Sequence, residues 1–125
     1  MVFGVGIDIV EVSRFENRSR DAHDKGWPDI FTANEIAYCN LKRYPERHFA
    51  ARFAAKEAFL KALGSGARTP GEFLQVEVVL DDLGAPGLAL TGEIARRSKA
   101  LGVTTIKISL THTATTAAAV AVVEL

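Results

Sequence analysis

The chain has 125 residues, of which 48% are apolar and 24% charged, and its fifteen basic and fifteen acidic side chains cancel. A chain of this length buries roughly two thirds of its unfolded surface on folding, so we predict one domain spanning residues 1–125. The balanced charge predicts no nucleic-acid partner and no membrane-surface partner. The single cysteine, Cys39, excludes an internal disulfide and a cysteine-based zinc site and suits a reducing cytoplasm. We find neither a membrane-spanning run nor a secretion signal, so we expect a cytoplasmic protein.

The first predicted element is a strand over residues 2–10. Its apolar side chains alternate with Gly4, Gly6 and Asp8. We predict that the apolar side chains form the packed face, namely Phe3, Val5, Ile7 and Ile9. The opposite face is bare, so another backbone or a ligand could approach it there.

Three helices are predicted next. The first two, over residues 13–25 and 32–43, each begin with a Ser or Thr followed three residues later by Glu, which is capping-box spacing. The third runs over residues 46–63. Pro45 suits its first turn and Gly64 suits its C-terminal cap.

The second half of the chain is predicted to contain mainly strands. The predicted elements are a strand over 73–80, a turn over 81–87, a return strand over 88–90, a surface helix over 92–101, and strands over 103–110 and 116–123. The last strand is nearly all apolar, so we expect it to be buried on both faces. Helices followed by antiparallel strands indicate an α+β fold, with helices packed on a mainly antiparallel sheet.

The third helix carries a lysine within its apolar stripe. On a helical wheel, Phe49, Phe53, Leu60 and Leu63 share one face, and Lys56 falls among them. One interpretation is that the Lys56 amine extends past its apolar neighbours into water. The other is that it points into a cleft and pairs with an anion.

Other polar residues are candidates for chemistry, although spacing alone leaves their roles open. Glu57 and Lys61 have the spacing of a common solvated helix pair, and Arg52 reads as an ordinary surface arginine. Asp8 is unusual because Asp is depleted in strands. If Asp8 and Glu57 converge, they form the kind of two-carboxylate site that magnesium uses. His112, at a strand end, suits either the margin of the core or a site.

Four segments together resemble the holo-acyl-carrier-protein synthase family, the small bacterial 4′-phosphopantetheinyl transferases. Residues 6–15 (GIDIVEVSRF) resemble the family's N-terminal signature, and residues 52–64 (RFAAKEAFLKALG) resemble its second signature even more closely. Residues 84–86 (GAP) and 109–113 (SLTHT) match two weaker positions. The four occur in the family's order and cover nearly the whole chain. The stretch 19–46 departs most from the family pattern, which leaves the choice of carrier protein open.

The resemblance implies a reaction and a site. The family moves 4′-phosphopantetheine from coenzyme A to a serine of apo acyl carrier protein, in support of fatty-acid or polyketide biosynthesis, and releases adenosine 3′,5′-bisphosphate. It requires Mg²⁺, whose ligands here would be Asp8 and Glu57. Lys61 would contact the pyrophosphate and stabilise charge as the bond breaks. The general base for the serine would be Glu57 or a water on the metal.

The resemblance also implies how the substrates are held and how the protein assembles. Coenzyme A would be bound by a further set of residues: Arg52, Lys56, Lys61, Gly84, Pro86 and His112. Arg14 and Phe15 would dock the carrier protein. The family fold is a trimer-forming α+β domain, so we expect a homotrimer with active sites at subunit interfaces. Asp8 and Glu57 would come from one subunit and His112 from the next.

A different class of function is also considered, namely a non-catalytic oligomeric module that binds a nucleotide or a carrier protein. Such a module would keep the fold but would not need magnesium. The presence of both metal-position acids, Asp8 and Glu57, together with Lys61 favours the enzyme.

Overall fold

The computed structural model describes residues 1–16, 29–64, 66 and 69–125. Its strands are β1 (Val2–Glu11), β2 (Val76–Leu80), β3 (Pro86–Leu90), β4 (Thr105–His112) and β5 (Thr116–Glu124). Its α-helices are α1 (Ala33–Asn40), α2 (Pro45–Ala62) and α3 (Gly92–Ala100), and short 3-10 helices cover Val12–Phe15 and Pro70–Gln75. The predicted α+β class is confirmed. Among the helices of the described ranges, none is long and apolar enough to cross a membrane.

The strands form two antiparallel sheets. One contains β1, β5 and β4 in that order, with β5 in the centre, and the other is the hairpin of β2 and β3. Helix α2 lies against the three-stranded sheet, and its buried residues form most of the core together with one face of β5. Helix α2 contacts both β1 and β4. It therefore sets the relative positions of the candidate site residues on those two strands.

The local signals for two helices are confirmed. Thr32 and Glu35 form the predicted reciprocal capping box at the start of α1. Pro45 occupies the first turn of α2. Gly64 follows the end of α2 with a φ of +99°, a left-handed conformation that favours glycine.

Two local predictions are wrong. Ser13 does not cap an α-helix, because it lies inside the 3-10 helix Val12–Phe15, and the rest of the predicted helix lies outside the described residues. Residues 73–75 belong to a 3-10 helix rather than to β2. The carbonyl of Phe73 accepts a hydrogen bond from the Lys56 amine, and the partner strand β3 ends at Leu90, opposite Val76.

The prediction of which face of β1 packs is also wrong. The glycine face lies against α2: a Cβ added to Gly4 would be 2.0 Å from the carbonyl oxygen of Ala62, and one added to Gly6 would be 1.8 Å from that of Ala58. The expectation that another backbone could approach this face is therefore confirmed. The apolar side chains point outward, and Ile7 is 70% exposed. Glycine is needed on the inner face because only a hydrogen atom fits between the strand and the helix backbone.

Strand β5 is buried on one face rather than on both. Alternate residues from Ala117 to Val123 are buried against α2, whereas the residues between them are half-buried. The half-buried residues lie on the same outer face as the exposed side chains of β1, because Ile7 pairs with Val120 in the register. Among the residues that the structure describes, no helix or second sheet covers this outer face.

Substituting Gly6 by Ala tests the contact between strand and helix. The methyl group would meet helix backbone, which cannot rotate away, so we expect unfolding free energy to fall by roughly 2–4 kcal/mol. Gly71→Ala is the matched control, because its added Cβ has nothing within 4 Å. Urea denaturation of both variants measures the difference. Equal stability of the two would contradict this packing.

Candidate active site

Two acids and a lysine converge where β1 meets α2. The Lys61 amine donates a hydrogen bond to Asp8 Oδ1 at 2.9 Å and lies 3.3 Å from the carbonyl oxygen of Ile7. Burial and the neighbouring carboxylate of Asp8 raise the pKa of Glu57, while Lys61 and Arg14 partly oppose that shift. The hydrogen bond to Asp8 raises the pKa of Lys61 in turn. The structure therefore brings Asp8 to Glu57 and Lys61, a convergence that the spacing alone left open.

The chemistry of this cluster fits a magnesium ion. The two carboxylates disfavour each other's charge, and a divalent cation between them would relieve that repulsion. In the ranges that the structure describes, no group of three or more His, Cys, Asp or Glu side chains is placed to hold a metal ion. Magnesium does not need one, since it keeps several waters and takes one or two carboxylates together with substrate phosphate oxygens.

A second, basic group of residues lines a cavity of about 160 Å³. Arg52 comes from α2, His112 from the end of β4, and Gly84 and Pro86 from the connection between β2 and β3. All four were expected near coenzyme A, and the fold collects them in one place. The other lining residues include Tyr38, His48, Ala51, Val78, Leu80 and Leu110.

Arg52 is a buried cation, not the surface arginine that its spacing indicated. It is 5% exposed, and its guanidinium lies 4.1 Å from the ring centre of Tyr38. Its Nε atom has no hydrogen-bond partner, and no carboxylate of the described chain forms an ion pair with it. A buried guanidinium without a counterion is costly, so the cavity has a strong preference for an anion.

His48 is a member of this cavity that the sequence reasoning missed. It precedes Arg52 by four residues on α2, so the two share a helix face, and this spacing was the signal available. Its ring centre lies 5.1 Å from that of His112 and 6.3 Å from that of Tyr38. Burial and the neighbouring positive groups lower the pKa of His48 to about 4.

Lys56 takes neither of its two predicted roles of reaching solvent or holding coenzyme A. Its side chain is fully buried, and the amine donates to Glu35 Oε1 at 2.6 Å and to the carbonyl oxygens of Ile30 and Phe73 at 2.7 and 2.9 Å. These three bonds use every N–H that an ammonium group has. The anion that it pairs with is therefore Glu35, and no donor is left for a phosphate.

Glu35 was predicted only as a helix-capping residue, yet it connects several elements. Besides the Lys56 amine, it accepts hydrogen bonds from the backbone N–H groups of Thr32 and Val78, both at 2.9 Å. It thereby ties α1, α2 and β2 together. Burial lowers the pKa of Lys56, and the carboxylate of Glu35 works against that shift.

Arg14 and Phe15, expected to dock a carrier protein, lie in different environments. Phe15 is 4% exposed, and its ring packs 5.8 Å from that of Phe53 and 6.0 Å from that of Phe31. It is a core residue with little surface for a partner. Arg14 is exposed, and its guanidinium lies 5.1 Å from the ring centre of Phe53.

Cys39 lies on α1. It is fully buried, and burial raises the pKa of its thiol to about 12. The reactive thiolate is therefore scarce at neutral pH.

The acidic cluster and the basic cavity are separate within one chain. The hollow beside Asp8 and Lys61 measures about 290 Å³, and none of its lining residues also lines the basic cavity.

Comparison with known proteins identifies the family. A family model described as the 4′-phosphopantetheinyl transferase superfamily matches residues 4–122. The chain belongs to this superfamily. A holo-[acyl-carrier-protein] synthase of Geobacter sp. (strain M21) is 43% identical over 124 residues, covering 99% of both chains.

Solved structures agree with this assignment. The holo-[acyl-carrier-protein] synthase of Neisseria meningitidis is similar with a TM-score of 0.87 and 29% identity, covering 100% of both chains. That of Bacillus anthracis, solved in complex with CoA (3′,5′-ADP), has a TM-score of 0.78 and 33% identity over 98% of this chain and 96% of its own. The phosphopantetheinyl transferase fold and the resemblance to the synthase family are confirmed.

Replacing Lys56 by Met tests whether its buried pair is structural. Removing one member of a buried ion pair leaves the other uncompensated, so we expect a loss of roughly 3–5 kcal/mol in unfolding free energy. Lys61→Met on the same helix is the control. Its amine is bound to Asp8 but its side chain is 48% exposed, so we expect a loss of less than about 1 kcal/mol. Urea melts compare the two, and a Lys56→Met variant as stable as Lys61→Met would contradict the assignment.

Proposed function

We propose that this phosphopantetheinyl transferase transfers 4′-phosphopantetheine from coenzyme A to a serine of apo acyl carrier protein, releasing adenosine 3′,5′-bisphosphate. The serine oxygen forms a bond to the phosphorus of phosphopantetheine, and the pyrophosphate P–O bond to the adenosine bisphosphate breaks. The proposal extends to one catalytic domain over residues 1–125, acting in the cytoplasm in support of fatty-acid or polyketide biosynthesis. The similarity to the synthase from Bacillus anthracis in complex with CoA supports it.

The observation that carries the proposal is the buried guanidinium of Arg52 in the basic cavity, which has no carboxylate partner among the described residues. A phosphate of coenzyme A would supply the missing counter-charge. His112 would contribute a further donor to it. Gly84 and Pro86, on the rim of the same cavity, would lie against the nucleotide. A positively charged cavity with apolar walls suits a nucleotide phosphate better than a neutral ligand.

The acidic cluster would carry the chemistry. Asp8 and Glu57 would hold Mg²⁺, which would supply positive charge to offset the negative charge of the pyrophosphate and of the leaving group. The Lys61 amine, half-exposed beside Asp8, would contact the pyrophosphate and stabilise the charge that develops as the bond breaks. Glu57 is also a candidate for the general base that takes the proton from the serine hydroxyl.

Arg14 would dock the carrier protein. Its exposed guanidinium lies near the acidic cluster, since it helps to lower the pKa of Glu57. A carrier bound there would have its serine close to the cluster. Phe15 would act indirectly. Its ring packs against Phe53 and Phe31, and this would hold in place the segment that carries Arg14.

The transfer reaction can be tested directly. The purified chain is incubated with coenzyme A, Mg²⁺ and an apo acyl carrier protein, and the carrier is weighed by mass spectrometry. We expect the mass of the carrier to rise by one phosphopantetheine, and the gain to be lost when a chelator is present. A folded chain that binds coenzyme A equally well with and without magnesium, and modifies no carrier, would instead indicate a binding module.

The same assay tests Glu57. Glu57→Gln removes a metal ligand and the proposed base, so we expect transfer to fall by at least about a hundredfold. The variant should fold and be at least as stable as the original at neutral pH, because it removes a carboxylate that Asp8 disfavours. That advantage should shrink as pH falls and Glu57 becomes protonated in the original chain. Near-normal transfer by Glu57→Gln would contradict the metal assignment.

The active form is proposed to be a homotrimer with its active sites between subunits. The outer face of the three-stranded sheet supports this, since it carries rows of apolar side chains from β1 and β5, and Val5 and Ile9 are 62% and 70% exposed. A contiguous apolar face of this kind marks an association surface. Assembly would also bring the Asp8 cluster of one subunit to the His112 cavity of the next.

Ile7→Glu tests the assembly. A carboxylate in the middle of the apolar face would have to be buried on association, so we expect the trimer to dissociate. Leu83→Glu is the control, because Leu83 is 95% exposed in the turn between β2 and β3. Size-exclusion chromatography with light scattering gives the masses. A trimeric Ile7→Glu variant, or a monomeric original chain, would rule out this interface.

A further inference from the structure

His48 stands among positive groups, yet nothing in the reaction proposed above uses it. It lines the basic cavity together with Arg52 and His112, and its ring meets that of His112 edge-to-face at 5.1 Å. Two imidazoles and a buried guanidinium thus surround a space of about 160 Å³. They come from two separate elements, α2 and β4, so the grouping is a product of the fold.

We propose that His48 is a proton-accepting residue of the anion cavity, which takes up a proton when a phosphate group of coenzyme A binds. This inference rests on the proposed function, because it assigns the cavity to a phosphate of that substrate. It adds a binding residue and a coupling between ligand and proton. The proton comes from solvent, and no covalent bond of the ligand changes.

The charges around His48 explain why it is neutral before the ligand arrives. The groups that face it are the His112 imidazole on β4, the cations Arg52 and Arg47 on α2, and the cation Lys42 in the segment after α1. The Tyr38 ring on α1 covers another side. Burial and these neighbours hold the pKa of His48 at about 4, so its ring is uncharged at neutral pH.

A bound phosphate reverses this balance. It brings negative charge into the cavity, which offsets the repulsion from Arg52 and His112 and favours the charged imidazole. The protonated ring could then donate hydrogen bonds to phosphate oxygens from both nitrogens. Because the complex holds more protons than the free protein, affinity must fall as pH rises. Uptake of half a proton corresponds to about a threefold loss of affinity per pH unit.

The substitution His48→Phe separates proton uptake from packing. Phenylalanine preserves an aromatic ring against Tyr38 and His112 but cannot take up a proton. If His48 only packed against its neighbours, replacing it with phenylalanine would leave the number of protons taken up on binding unchanged. His48→Gln is a second variant, which keeps polarity without the charge and guards against misfolding of the first.

The experiment is calorimetric titration of each full-length protein with coenzyme A in buffers of different ionisation enthalpy, from pH 6 to 8. The slope of apparent enthalpy against buffer enthalpy gives the protons taken up per coenzyme A bound. Protons exchanged by the coenzyme A phosphates are common to all the proteins, so the difference between them isolates His48. We expect the original chain to take up more protons than either variant and to lose affinity faster as pH rises.

The possible results lead to different conclusions. Binding by all three proteins with equal proton uptake would overturn the inference and leave the proposed function intact. No binding of coenzyme A by the original chain would contradict the proposed function, and the inference with it. If both variants still bind coenzyme A but take up fewer protons than the original chain, the result supports the assignment of His48.

Discussion

The close contact between the glycine face of β1 and α2 organises this molecule. Gly4 and Gly6 let the strand approach the carbonyl oxygens of Ala62 and Ala58, which no side chain would allow. Asp8 lies on the same face of β1, beside the helix. There it accepts a hydrogen bond from the Lys61 amine, and its charge raises the pKa of Glu57. The inner face of the sheet therefore packs against α2, and the apolar side chains of β1 lie on the outer face.

Helix α2 carries several charged side chains, and the extent to which each one is buried decides its role. Lys56 and Lys61 are five residues apart, yet one amine is sealed among Glu35 and two carbonyl oxygens, and the other is half-exposed beside Asp8. Burying the Lys56 amine without its hydrogen-bond partners would cost too much desolvation free energy, so its role is structural. Arg52 is equally buried but has no carboxylate partner among the described residues, so it is left to attract an external anion.

Local sequence patterns were good predictors where a short segment decides its own structure. The capping box at Thr32, the proline at the start of α2 and the left-handed Gly64 after it depend only on neighbouring residues. Patterns failed where a distant residue intervened. Residues 73–75 have the composition of a strand, but the Lys56 amine takes the carbonyl of Phe73. Likewise, alternation in β1 identified two faces without indicating which one meets the helix.

The sequence by itself determined most of the helices and strands, the α+β class and the family, because helix caps, periodicity and the RFAAKEAFLKALG motif are local properties of the chain. The same motif could not distinguish a buried Lys56 from a half-exposed Lys61, nor reveal that His48 joins Arg52 and His112 in one cavity. Only the tertiary structure decided those points, since burial and charge partners are set by residues far away along the chain.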